Sequence, residues 1–316
     1  MSDIPSKVKI VEEGPREGIQ SEPPGISTED KIALIESLAD AGLHEICCGS
    51  FVSPSRVPQM ADAEAIASGI RRREGTVYTG LWLNAAGFER ALQTPFDKIG
   101  LVVTSASEEF GIRNNNRNRA ELLDEQRKML DLYAANGVAP GAGYVFTAFG
   151  CNIAGHVPVS QVVSSVGDLL ALWDERGIAH QTVYLCDTVG AASPATVERA
   201  VAEVRSRWPE LELALHLHDT RGLGIANILV GLQMGVARFD SSIGGLGGCP
   251  FAGNKAATGN VATEDLVLLC EEMGASTGID LDALIESARL AQRIVGRPLP
   301  GKTMNGGPLT RFHAAA

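Results

Sequence analysis

The chain has 316 residues, with 27 Lys and Arg against 38 Asp and Glu, a formal charge of −11, and 45% hydrophobic residues. That is enough apolar material for one large α/β barrel or two average domains. The acidic balance and the scattered Lys and Arg exclude a nucleic-acid or anionic-membrane surface as the expected partner, and no apolar run approaches the ~20 residues that span a bilayer.

Residues 8–12 predict a short strand, followed by a loop with Gly14, Pro15 and Gly18. Ser27 and Thr28 then offer a helix cap, and Ile32, Leu34, Ile35, Leu38 and Leu43 form a helical apolar stripe. Further strands are expected at 44–48, 77–83, 98–103, 143–149, 181–186, 211–217 and 237–243. Helices are expected near 60–72, 85–93, 118–136, 158–176, 193–207, 222–235 and 263–273. Eight strand-then-helix units predict a parallel sheet closed into a (β/α)8 TIM barrel. An open doubly wound sheet is the competitor, but no Gly-x-Gly-x-x-Gly opens a helix after the first strand. The barrel is expected over 1–279, with 280–316 as a C-terminal extension packed on it: an amphipathic helix at 280–297, then a loose tail from Gly301. The polar start of the chain lacks a signal-peptide core. Cysteines 47, 48, 151, 186, 249 and 270 show no paired framework, so a reducing cytoplasm is expected.

In a barrel the chemistry lies at the C-terminal strand ends. The stretch Leu213 to Thr220 reads as a buried strand ending in His216-Leu-His218-Asp219. Residues two apart on a strand face the same way, so both imidazoles project together as half of a metal coordination sphere. One core histidine and one solvated histidine is the plainer alternative. The other strand ends add Arg16, Glu17 and Gln20, then Cys47 and Ser50, then Asn152, then Asp187. After the eighth strand come Cys249 on a Gly-rich loop and Asn260.

The strings GPREGIQ, SFVSP, HLHDT, GGLGGCPF and TGNVATEDL, in this order, resemble those of the 3-hydroxy-3-methylglutaryl-CoA lyase family, TIM-barrel lyases related to Claisen-type synthases. The resemblance runs from about Val8 to Gly274. It implies metal-dependent retro-Claisen cleavage of a 3-hydroxyacyl-CoA to acetyl-CoA and a keto acid. It implies metal ligands at Glu17, His216, His218 and Asn260, a donor set suited to Mg²⁺ or Mn²⁺. Arg16 is implied to stabilise the enolate and Cys249 to act as general acid, and His216 and Asp187 are further catalytic candidates. Gln20, Cys47, Ser50 and Asn152 are candidate contacts to the acyl-CoA. A homo-oligomer, dimer or tetramer, is expected.

Plainer readings remain for each position. Asn260 could cap the helix at 263–273, although Thr263 suits that role better, and Glu17 could be a loop charge paired with Arg16. Cys249 could be a small loop residue, and Asp187 could orient a ligand rather than bind the metal. The chain departs from the family pattern twice. The first ligand is Glu17 where the family has Asp, and Cys47 stands where the lyases carry an acidic residue three positions before the Ser of SFVSP. Glu45, one pleat deeper, is the nearby candidate to replace it. Gly253 to Lys255 are additional loop residues. Another acyl group, such as citramalyl-CoA, is therefore an alternative, as is a Claisen-type synthase. A zinc hydrolase and a barrel without catalysis are weaker readings, the first because its His pair would lie on strand one.

Overall fold

The computed structural model describes residues 4–247 and 259–312. Eight strands, β1 (Lys9–Glu12), β2 (Glu45–Ser50), β3 (Val77–Leu81), β4 (Gly100–Ser105), β5 (Pro140–Phe146), β6 (Thr182–Cys186), β7 (Leu213–His216) and β8 (Arg238–Ser241), form one curled sheet. Every pairing between these strands is parallel, and the spatial order β3-β2-β1-β8-β7-β6-β5-β4 puts β1 between β8 and β2. With helices between the strands, this is the TIM-barrel arrangement that the alternation predicts. β3 and β4 share no ladder. Their junction is stitched by Asp97, whose backbone N–H donates to the Tyr78 carbonyl and whose carboxylate accepts the Tyr78 N–H, both at 2.8 Å. Deeper in, the Tyr133 hydroxyl accepts from Trp82 Nε1 at 2.8 Å and donates to the Leu101 carbonyl at 3.1 Å.

The helices form where apolar periodicity and caps coincide. Helix α1 (Thr28–Asp40) starts at Ser27, whose Oγ accepts the Asp30 N–H at 3.1 Å, and it buries Leu34, Ile35 and Leu38. The following helices are α2 (Ala63–Gly69), α3 (Ala85–Leu92), α4 (Glu108–Asn115), α5 (Arg119–Ala135), α6 (Val159–Asp174), α7 (Pro194–Arg207), α8 (Gly224–Gln233) and α9 (Thr263–Glu272). α4 was not expected from the pattern. It is mostly polar and carries no long apolar stripe, and its start is set by Ser107 Oγ accepting the Phe110 N–H. β5 ends at Phe146 rather than 149 because Thr147 turns to a positive φ of 56°.

α10 (Leu281–Val295) packs against α1 and α9. The described part of the tail beyond it, up to residue 312, is not loose, contrary to expectation. Gly301 N–H donates to the Gly244 carbonyl at 3.1 Å, and the Lys302 and Thr303 amides donate to the Asp265 carboxylate at 3.0 and 2.6 Å. Those fixed acceptors start α11 (Thr303–Gly306), and Met304 is buried.

Candidate active site

The site is built on β7. His216 ends the strand, and its direct partner across the β7–β8 ladder is Asp240. That register lets His216 Nδ1 donate to Asp240 Oδ2 at 2.9 Å. His218 Nδ1 donates to the backbone carbonyl of Asp187 at 2.6 Å. A carbonyl only accepts, so the proton of His218 sits on Nδ1, and both rings present Nε2 to the same point.

Glu17 Oε1 occupies the approach to that point, 3.2 Å from His218 Nε2 and 3.6 Å from His216 Nε2. It also accepts from Asn260 Nδ2 at 3.2 Å, and Asn260 is bridged to His218 by backbone pairing. Glu17 reaches inward because Gly14–Gly18 form one π-helical turn, in which the Glu13 carbonyl accepts the Arg16, Glu17 and Gly18 amides at 3.1, 2.7 and 3.2 Å. The turn needs glycine at its ends. A Cβ at Gly14 would lie 2.6 Å from Glu12 Oε1, and one at Gly18 2.7 Å from Leu246 Cβ.

Glu12 fastens this turn to the segment after β8. Its buried carboxyl accepts from the Gly14 amide at 2.7 Å, the Ile243 amide at 2.8 Å and the Thr263 hydroxyl at 2.6 Å. Burial pushes that carboxyl up to about 7. Thr263 is therefore not a helix cap. Ala262 holds the cap position of α9, and Asn260 lies two residues before it.

The electrostatics follow from charge held out of water. Burial alone would raise the Glu17 carboxyl, but His216 and Arg16 outweigh it and hold the group well below the carboxylate range. Burial would lower His216, but the charge of Glu17 and the bond to Asp240 hold it well above the usual imidazole value. Arg16 is gripped by two carboxylates, with Nη2 2.5 Å from Glu13 Oε2 and Nη1 3.0 Å from Glu17 Oε2. Burial raises the Glu13 carboxyl to about 7 against the pull of Arg16.

The ligand atoms of Glu17, His216 and His218 lie within 4.8 Å of one another. Asn260 Oδ1 is buried beside them without a hydrogen-bond partner among the described residues. One carboxylate, two imidazoles already oriented through Nδ1, and one spare amide oxygen suit a divalent cation with oxygen and nitrogen preference.

Of the remaining expected residues, Cys47 lies buried against the Arg16 guanidinium, and burial pushes its thiol up to about 12, so it is neutral. Ser50 ends β2 with its Oγ buried and unpartnered among the described residues. Asp187 uses Oδ1 to accept the Ala191 and Ala192 amides at 2.6 and 3.0 Å, shaping the turn after β6. Gln20 is half-buried, three residues beyond Glu17, and Asn152 is exposed on the loop after β5. Cys249 and Gly253 to Lys255 lie outside the described residues. Glu45 does not replace the acid expected at position 47, because its Oε2 takes Arg238 Nη2 at 2.6 Å.

Asp240, Glu13 and Glu12 carry no signal that the sequence reading uses. Asp240 was hidden in an otherwise ordinary strand, and its signal was a lone carboxylate at a strand end opposite His216. Glu13 stands beside the GPREG string with no pattern of its own, yet it is 5% exposed and paired with Arg16.

The chain matches the family model described as HMGL-like over residues 7–291. It is 40% identical to hydroxymethylglutaryl-CoA lyase YngG of Bacillus subtilis, over 95% of this chain and 97% of that protein. It is 39% identical to a 3-hydroxy-3-isohexenylglutaryl-CoA/hydroxy-methylglutaryl-CoA lyase of Pseudomonas aeruginosa, over 93% of this chain and 95% of that one. A solved HMG-CoA lyase from Acinetobacter baumannii, in complex with coenzyme A and 3-methylmalate, superposes with a TM-score of 0.86 at 38% identity, covering 98% of each chain.

Proposed function

Because the chain belongs to the HMGL-like family, we propose that it cleaves 3-hydroxy-3-methylglutaryl-CoA into acetyl-CoA and a keto acid as a metal-assisted carbon–carbon lyase. The observation that carries this reading is the convergence of Glu17 Oε1, His216 Nε2, His218 Nε2 and the Asn260 amide at one point. These four residues would hold the cation, with Mg²⁺ or Mn²⁺ preferred for the mixed donor set. When bound, the cation supplies Lewis acidity toward the substrate oxygens.

Cleavage removes the proton of the 3-hydroxyl to solvent, breaks C2–C3 and leaves C3 as the ketone carbon of the keto acid, the proton being made good at C2. The bonding pair passes to C2 and the thioester, giving an enolate, and C2 then takes a proton to become the methyl group of acetyl-CoA. Arg16 suits the enolate oxygen: it is permanently charged, and its buried Nε has no partner among the described residues. Asp240 and the Asp187 carbonyl keep both imidazoles turned inward. Cys249 is the proposed donor of the proton to C2, on the resemblance of its loop.

The test is release of acetyl-CoA from 3-hydroxy-3-methylglutaryl-CoA and from both citramalyl-CoA stereoisomers, before and after metal removal. Chelation should abolish activity, and Mg²⁺ or Mn²⁺ should restore it. Cys249→Ala should keep metal binding and lose ~10²–10⁴-fold in turnover, the scale of general acid catalysis. Full activity with metal absent by elemental analysis sinks the metal role, and preference for citramalyl-CoA replaces the substrate. No helix among the described residues is long and apolar enough to cross a membrane. A cytoplasmic homo-oligomer, dimer or tetramer, is proposed with the activity. Sedimentation as a monomer at assay concentration refutes the assembly, and recovery of the native protein from an exported fraction refutes the location.

A further inference from the structure

The position where the resemblance calls for an acid on β2 holds Cys47, whose thiol is neutral, and the nearby Glu45 is committed to Arg238. The guanidinium of Arg16 nevertheless has a second carboxylate against it. We propose that Glu13, from the end of β1, is the positioning residue for Arg16, doing from β1 what an acid at position 47 would do from β2. This rests on the lyase reading above.

The geometry is specific. Glu13 Oε2 sits 2.5 Å from Nη2 of Arg16, while Glu17 Oε2 takes Nη1 at 3.0 Å. The fork is thus held at both terminal nitrogens, and Nε, buried and without a partner among the described residues, is left as its free donor. Glu13 forms an ion pair rather than an aligned hydrogen bond, since the same Oε2 has no hydrogen-bond partner among the described residues. It acts on orientation by charge. Without it, Arg16 has one carboxylate left, Glu17, the same group needed beside His216 and His218. The planar fork would then turn fully onto Glu17 and leave the orientation in which Nε is free. Cys47 is small and uncharged, which is what the space beside an already neutralised guanidinium accepts. Two acids there would bring a surplus buried charge.

The experiment is relocation of the carboxylate. Glu13→Gln should lower kcat ~10²-fold, the scale for misplacing a reacting group by about 1 Å. KM and the affinity for Mn²⁺, measured by titration calorimetry, should stay within ~3-fold, which a general structural defect would not allow. Adding Cys47→Glu to Glu13→Gln should restore kcat to within ~10-fold of the parent, whereas adding Cys47→Ala should not. Should Glu13→Gln alone fail to fold, the folded Glu13→Gln, Cys47→Glu double variant decides: recovery of kcat supports the proposal and its absence overturns it. An active parent whose Glu13→Gln variant keeps the parental kcat overturns the role of Glu13 alone. A parent inactive on every 3-hydroxyacyl-CoA overturns this role together with the lyase reading.

Discussion

Two clusters of charge lie largely out of water inside the same barrel, one at each end of the strands. At the N-terminal end, Arg238 opens β8 and donates from Nη2 to Glu45 and from Nε to the Tyr184 hydroxyl, each at 2.6 Å. The Tyr184 ring stacks on Tyr144 with centroids 4.6 Å apart. At the C-terminal end, Arg16, Glu17, His216, His218 and Asn260 are as charged and as buried, but their accounts do not close. Asn260 Oδ1, Asp187 Oδ2, Ser50 Oγ and Arg16 Nε have no hydrogen-bond partner among the described residues. An unsatisfied buried polar atom costs about 1–3 kcal/mol, so a cluster that keeps several is held ready for something else. Burial and charge do not mark the site. Convergence of unpartnered donors and acceptors does.

The difference between the two clusters should show most at the proposed metal ligands. His216→Ala removes an Nε2 donor, and turnover should fall by ~10³-fold or more, several kcal/mol of lost electrostatic stabilisation. Acetyl-CoA release under excess Mn²⁺ measures it, and a loss under tenfold refutes the ligand assignment. Asp240→Asn is the gentler version. The Asn keeps the size of the side chain but loses the carboxylate that takes the His216 Nδ1 proton at 2.9 Å. The expected cost is ~10–100-fold in metal affinity, the usual scale for a group that orients a ligand. Unchanged Mn²⁺ binding would mean that His216 needs no such partner.

The upper cluster was partly legible in the sequence, and the reason is covalent. His216 and His218 lie on one strand and Arg16 and Glu17 on one turn, so local spacing announces them. Asp240 belongs to the site only through the β7–β8 register, a relation between residues 24 apart that no local pattern carries. The same holds for Glu12, whose carboxyl reaches Ile243 and Thr263. The barrel was legible because its β-α alternation repeats. What failed was local and polar: α4 is set by a Ser107 cap rather than by a stripe, and the tail after α10 is fixed by acceptors on other elements.

The lower cluster should respond in stability and not in turnover. Glu45→Gln leaves Arg238 facing a neutral amide, but the pair is partly solvated, with side chains 18% and 25% exposed. The cost therefore falls between that of a surface pair and a buried one, about 1–3 kcal/mol. At about 2–4 °C per kcal/mol, thermal melts should drop by a few degrees while kcat stays within ~3-fold. A fall in kcat as deep as that of a ligand variant would erase the distinction between the clusters.

Glu264 supplies the smallest and sharpest test, because it too has an unpartnered oxygen. Its Oε2 accepts the Gly244 amide at 2.9 Å, and its Oε1 has no hydrogen-bond partner among the described residues. Among the described residues no histidine joins it in a ligand cluster, and the physical account is different: burial raises its carboxyl from 4.5 to about 8, so near neutral pH it is mostly uncharged. A raised acid makes the folded state bind its proton more tightly than the unfolded one. Its contribution to stability is fully present below about pH 4.5 and is lost as pH rises to about 8. Glu264→Gln cannot ionise. The melting temperature of the variant relative to the parent should therefore climb across that window and level off above it, by a few degrees at most once relaxation offsets the burial term. Parallel melting curves from pH 4.5 to 9 would mean that Glu264 is charged in the folded protein. Its orphaned oxygen would then require a partner, and the line drawn between an idle buried atom and a ligand-ready one would have to move.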